Sequence, residues 1–433
     1  MTDTLGIKKR KVFYGWWLIL ISAIIRCFES GTYFYGFRAF FNPIRTTFGW
    51  GATETSVAFS LQRLESGAMA PISGFLTDRI GPKRMMLIGW IIAGAGFLAM
   101  SRVNSLWVFY ASFVFLALGM SLGSYMPANA LAVRWFIKKR SRAITLSALG
   151  AGTGGILVPL IAMGILRYGW RTSLVIVGIA AWAVCLPLSS FVKDRPEMAG
   201  YHPDGAAPLP SPQSKDIAVS DLTDAVGEVG TESIVDDLTV KETLRTGAFW
   251  FICLVAVFQQ LGTSAVYVHI IPYLESVGFP GMQAAFAVTG MAISSVAGRL
   301  GFGLLGDLFS KRHLLSIALA LQTAGLFILS MVGVSKVWLL VIFLLVYAPG
   351  YGAPIVLRPA LQADYFGVRN FGTLMGLVSL VSLAGGLSSP IVAGWIFDVT
   401  GGYQLAWRIF ALVSVPAIPF MLLAKPPETT PRH

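Results

Sequence analysis

Residues 74–84 read Gly-Phe-Leu-Thr-Asp-Arg-Ile-Gly-Pro-Lys-Arg, and residues 303–312 read Gly-Leu-Leu-Gly-Asp-Leu-Phe-Ser-Lys-Arg. Each has a glycine four residues before an aspartate and a Lys-Arg pair shortly after it, at an offset of about 230 residues. Outward from these stretches the same offset keeps finding matches in order. Ser105-Leu106-Trp107 falls on Lys336-Val337-Trp338, Gly119 on Gly350, Pro159 on Pro390, and Trp170-Arg171 on Trp407-Arg408. The chain is therefore written twice, in parallel orientation.

The surrounding sequence fixes what is repeated. The chain has 433 residues, 55% of them hydrophobic and only 12% charged. Crossing the hydrocarbon of a bilayer takes roughly 20 apolar residues per helix. Twelve such spans are read, at 14–42, 54–77, 85–102, 107–132, 143–166, 172–191, 248–274, 281–305, 314–333, 338–360, 371–396 and 402–424. Lipid offers no hydrogen bonds to the backbone, so spans of this length without period-2 alternation are helices rather than barrel strands. The expected fold is an all-α membrane protein: a six-helix half at 1–191, a linker at 192–246 and a second six-helix half at 247–433. Low hydrophobicity and acidic residues make the linker a mobile loop by expectation, with a short interfacial helix at 238–245.

The net charge of +12 does not imply nucleic acid, because its distribution follows topology. With the N-terminus inside, about 22 of the 33 Lys and Arg fall on the cytoplasmic side, the positive-inside bias. Both termini are then cytoplasmic. The first apolar stretch is too long for a cleaved signal and stays as span 1. Cys27, Cys185 and Cys253 lie in spans, far apart, with neither disulfide nor metal spacing. No cofactor motif and no phosphate-binding loop for ATP is present, so the chain reads as no enzyme and any transport as gradient-driven. Two parallel six-helix halves build a transporter with its substrate site near the midplane, alternating access by rocking.

Arginines stand inside the spans, Arg26, Arg63, Arg299 and Arg358 among them. An ion in hydrocarbon is costly, so such residues line a water-filled cavity or pair with another charge. Several buried cations with few anions point to an anionic substrate. Arg299 lies eight residues before Asp307, about 12 Å along the helix, too deep for easy snorkelling. Its planar fork suits a carboxylate; a structural ion pair is the alternative. Arg26 and Glu29 share a face of span 1. Arg63 and Glu65 on span 2 are two apart and cannot both face one way. Arg63 either pairs with Glu29 or serves as a second substrate cation. Glu29 and Glu65 are the candidate proton acceptors; an interhelical salt-bridge network is the competing reading. Tyr125 and Tyr351 sit in the Gly- and Pro-rich stretches 119–127 and 349–354, which are tolerated where they line a cavity. Arg358, near Asp364, reads as a gate or headgroup contact.

The loop at residues 74–84 resembles the signature loop of the major facilitator superfamily. The resemblance implies gating for Gly74, Asp78, Arg79, Gly81, Lys83, Arg84 and the second copy's Asp307. Tyr14-Gly15-Trp16-Trp17, the segment Arg134–Ala143, Tyr168-Gly169-Trp170-Arg171 and Arg195-Pro196-Glu197-Met198 are together similar to the monocarboxylate transporter family and its bacterial oxalate/formate antiporter relatives. That resemblance implies a secondary transporter of a small organic anion, most simply a monocarboxylate, by proton symport or anion exchange. It implies a bacterial inner membrane and a monomeric transport unit. It places Arg299 at the carboxylate-binding position of span 8 and His269 at a site position of span 7. Two positions depart from the pattern. Ser295 stands where proton-coupled members carry aspartate, and 371–396 lacks the lysine of the oxalate/formate antiporters. Another substrate class, a drug exporter or an organophosphate or zwitterion exchanger, is the alternative.

Overall fold

The computed structural model describes residues 13–50, 52–205 and 237–427. Every regular element among them is helical. Ten helical stretches are long and apolar enough to cross a bilayer. One of these, Arg140–Ser190, breaks at Gly169 (φ 78°, ψ 161°) and reverses. A Cβ on Gly164 would lie 3.3 Å from Ser173 Oγ, whereas nine residues of straight helix span about 13 Å. It is therefore two spans. Ala52–Ile80 is the remaining one; Glu54, Arg63, Glu65, Asp78 and Arg79 keep its mean hydropathy low. The count is twelve.

Span 1 extends further than the sequence suggests. Tyr14–Glu29 is α-helical, Ser30–Tyr35 is a π segment, and Phe37–Phe48 continues the helix. Span 4 is broken into Leu106–Gly123 and Tyr125–Trp135 by Ser124 (φ −129°, ψ −81°). Pro127 explains the break: it has no amide for the Gly123 carbonyl, and its ring crowds that oxygen. Span 5, Arg140–Thr153, passes through a 3-10 turn at Gly154–Leu157. Spans 7 to 11 are Gly247–Ser276, Gly281–Leu305, Lys311–Leu329, Val337–Phe366 and Phe371–Thr400. Span 12 is Gln404–Ser414 and Ala417–Leu423.

Spans 1 and 5, 3 and 4, and 3 and 6 pack together in the first half; spans 7 and 11, 8 and 10, and 9 and 10 do so in the second. The halves meet through spans 2 and 11 and through spans 5 and 8. Small residues allow this approach, since helices in lipid associate by close packing rather than hydrophobic exclusion. A Cβ on Gly74 would fall 1.9 Å from the Gly372 carbonyl oxygen, and one on Gly303 would fall 1.8 Å from Thr145 Oγ1.

The loops after spans 2, 4, 8 and 10 share one face of the bundle, which also carries Lys83-Arg84, Lys138–Arg142 and Lys311-Arg312. It is called the basic face below. Here the described ends of the linker are tied down rather than loose. Asp204 accepts from the backbone amides of Ile137 and Lys138 at 2.9 and 2.7 Å. Asp237 accepts from those of Val368 and Arg369 at 2.7 and 3.2 Å. A short helix, Val240–Leu244, starts from a Thr239/Glu242 capping box and leads into span 7.

Candidate functional site

Two sets of polar residues stand out, one at the basic face and one at mid-depth. At the basic face the halves exchange their aspartates. Asp78, at the end of span 2, accepts from the amides of Gly372 and Thr373 at 2.9 and 2.7 Å and from Thr373 Oγ1 at 2.8 Å. These groups open span 11 in the other half. Asp307, at the end of span 8, accepts from the amides of Ser141 and Arg142 at 2.9 and 3.3 Å, and Arg142 Nε lies 3.1 Å from it. Those groups open span 5 in the first half. Helix N-termini present free amides and a positive dipole end, so each carboxylate satisfies both. Burial pushes the Asp307 carboxyl above its ordinary value, and the amide hydrogen bonds oppose that shift. A third bridge crosses the seam: Arg140 and Lys311 both contact Asp364 of span 10, at 2.5 and 2.6 Å.

The rest of the 74–84 loop supports this seam from one side. Gly81 turns with φ 90°, a conformation that suits glycine. Its neighbour Lys83 donates its amide to Asp194 at 2.7 Å. Arg79 and Arg84 are exposed. Arg358 lies elsewhere: Nη1 donates to Gln259 Oε1 of span 7 at 3.3 Å, within the second half rather than across the seam.

At mid-depth several buried polar atoms are left without a partner. Arg26 is 5% exposed, and its Nε and Nη1 are buried with no hydrogen-bond partner. Its guanidinium carbon lies 5.1 Å from the centroid of the Tyr125 ring, a cation–π distance. It is within electrostatic reach of Glu29 and of Arg299, the latter from the opposite half. Arg299 Nε is also buried without a partner. Gly352 of span 10 packs close beside it: a Cβ there would lie 3.2 Å from Arg299 Cγ and 2.4 Å from the Ser295 carbonyl. Tyr351 is in electrostatic reach of Arg299, Tyr267 and Tyr35.

Glu29 does not close an ion pair with Arg26. Its Oε2 instead accepts a short hydrogen bond from Ser124 Oγ, the residue at the break in span 4. On span 2, Glu65 Oε1 is buried without a partner, as is the hydroxyl of Tyr33, which lies within its electrostatic reach. The side chain of Arg63 lies outside the described residues. His269 is engaged elsewhere, its Nε2 3.0 Å from the Pro390 carbonyl of span 11 and its ring beside Tyr403. A carbonyl can only accept, so Nε2 is the donor in this contact.

The structure thus gathers Arg26, Glu29, Tyr125, Arg299 and Tyr351 of the residues singled out in the sequence. It adds Ser124, Tyr33, Tyr35 and Tyr267. Ser124 had a signal, since it sits in the stretch between Gly119 and Pro127. The three tyrosines had none, because their relevance depends on how spans 1, 7 and 10 are arranged. At the seam, the pairing of Asp364 with Arg140 and Lys311 was equally hidden, since it joins three spans. A buried, unsatisfied guanidinium carries a desolvation cost of several kcal/mol that a bound anion would offset.

Known proteins share this architecture and sequence. The chain is 26% identical over 413 residues to monocarboxylate transporter 12 of Xenopus laevis, covering 91% of this chain and 85% of that protein. It is 22% identical over 405 residues to the oxalate:formate antiporter of Oxalobacter formigenes, covering 92% and 88%. The E. coli fucose:proton symporter FucP superposes with a TM-score of 0.68 at 14% identity, covering 96% of this chain and 100% of that one. The sequence profile of the Major Facilitator Superfamily matches residues 18–301 and 252–433. With two six-helix repeats, exchanged aspartates and a mid-depth polar cluster between them, the chain belongs to the major facilitator superfamily and is a membrane transporter.

Proposed function

We propose that the protein carries a small monocarboxylate across the membrane by alternating access, with Arg299 as the main carboxylate ligand and Arg26 as the second cation. One observation carries this reading: two arginines, one from each half, keep buried guanidinium nitrogens without partners within electrostatic reach of each other. A carboxylate between them supplies the missing acceptors and ties together the two bodies that must rock. Tyr125 and Tyr351 flank the pair and offer hydroxyls to the same anion. The relatives named for monocarboxylates and for oxalate and formate support the substrate class.

Coupling is assigned to Glu29, with Glu65 beside it on span 2. Glu29 replaces the missing acid at Ser295 in this scheme. Its hydrogen bond to Ser124 lets it exist in either protonation state, because a hydroxyl both donates and accepts. A proton on Glu29 balances the charge that a monocarboxylate brings, which gives symport. With Glu29 left ionised, the same site supports exchange of one carboxylate for another. The basic face is placed in the cytoplasm by its excess of Lys and Arg, with both termini there. The residence is the inner membrane of a bacterium, and a single chain holds all the groups of the site.

Thermal stabilisation of the purified protein by mono- and dicarboxylates, phosphates and cationic drugs tests this. The expected result is a shift with a monocarboxylate that vanishes in Arg299→Ala. Shifts confined to phosphates or cations would move the protein to another substrate class.

A further inference from the structure

A second cluster of arginines lies outside the site just described. At the basic face, a cavity of about 600 Å³ opens on the seam between the halves. The first half contributes Arg79 and Arg134 to it, the linker end tied to that half contributes Arg195, and the second half contributes Arg369. Its carboxylates are mostly committed. Asp78 is held by Gly372 and Thr373 and lies 3.8 Å from Arg134. Asp237 is held by two backbone amides. Glu197 is exposed. Arg79, Arg195 and Arg369 are exposed and form no ion pair with another described residue. Arg134 and Arg195 are close enough to repel each other. Four guanidinium groups thus converge from both halves on a pocket whose anions are largely spent.

We propose that this cavity binds a phosphate-type oxyanion at the basic face and thereby holds the seam closed. Guanidinium forks match phosphate oxygens through paired hydrogen bonds. The cations approach from the end of span 2, the end of span 4, the segment after span 6 and the loop before span 11. Phosphate presents oxygens tetrahedrally and can meet such a set, whereas a carboxylate offers two in one plane. The volume leaves room for an organic substituent on the phosphate. Arg369 belongs to one half and the other three to its partner half or the linker end tied to it, so opening the seam takes the set apart. A ligand that needs both halves binds one state better than the other and shifts the equilibrium by that difference. The anion is therefore a conformational effector, distinct from the transported substrate at mid-depth. It comes either as a free phosphate or as the headgroup of an anionic lipid.

The test places spin labels at Met198 and Lys241, in the two linker ends that are tied to the first and to the second half at the basic face, and follows their distance in nanodiscs. One arm uses phosphatidylcholine with inorganic phosphate; the other uses phosphatidylglycerol without added phosphate. The expected result is a larger population of the short distance in at least one arm, with apparent affinity weakened tenfold or more in Arg195→Gln and Arg369→Gln. A response in the first arm alone identifies a soluble ion, and in the second alone a headgroup. Both side chains are exposed, so the variants should fold, which thermal unfolding without phosphate verifies. No population change in either arm, or an undiminished change in the Arg195→Gln/Arg369→Gln double variant, would overturn the proposal.

Discussion

The seam at the basic face and the cluster at mid-depth are both built from arginines and carboxylates, yet they treat charge in opposite ways. At the seam Asp78, Asp307 and Asp364 each have two or more partners, and those partners come from other spans. At mid-depth Arg26, Arg299 and Glu65 keep buried polar atoms with none. A satisfied network holds one arrangement, and an unsatisfied one waits for something to complete it. The contrast is what the proposed division between a gate and a binding site rests on.

The largest expected effect comes from removing the central cation. Arg299→Ala should lose carboxylate binding by a factor of about thirty or more, since truncating one partner of a buried charge pair costs about 2–5 kcal/mol. Its unfolding temperature without ligand should hold or rise, because a buried unpaired charge is removed; isothermal titration and thermal unfolding read the two quantities separately. A fall in stability together with retained binding would break the comparison. Next, Glu29→Gln should leave carboxylate exchange in liposomes intact while abolishing accumulation driven by a pH gradient. Equal loss of both would make Glu29 a structural partner of Ser124 instead. At the seam, Asp307→Asn should leave carboxylate affinity of the closed form unchanged. It should shift the open-to-closed ratio by about tenfold, the size of a charge-assisted hydrogen bond worth about 1.5–3 kcal/mol; distance measurements across the basic face read this. Asp78→Asn should act in the same direction, because the two aspartates occupy equivalent places. Ser124→Ala should have the smallest effect, a few-fold change in the rate of proton-driven uptake with substrate affinity preserved.

Much of the architecture could be read from the chain. Apolar runs marked the spans, and the copies at Gly74–Asp78 and Gly303–Asp307 marked the halves, because length and composition alone decide what crosses lipid. Pro127 accounts for the break in span 4 once it is seen, but the sequence reading ran that span unbroken from 107 to 132. What the sequence withheld depends on docking. Asp78 and Asp307 could be named as gate residues, but their exchange between halves required the halves to be placed. Arg26 and Arg299 are 273 positions apart, and no local pattern says that they meet. The sequence offered Glu29 an ion pair with Arg63 of span 2; among the described residues it is Ser124, at the break in span 4, that donates to the carboxylate. The caps made by Asp204 and Asp237 were equally invisible, since a single aspartate in a polar linker carries no periodic signal.

The central claim is that Arg26 and Arg299 hold one carboxylate between them. Calorimetric titration of the stabilising monocarboxylate into the wild type, Arg26→Gln, Arg299→Gln and the double variant tests it most directly. If the two arginines act as one clamp, each single variant loses most of the affinity and the double variant is little worse than either, a strong coupling between sites. Independent, additive losses, or affinity retained in either single variant, would contradict it.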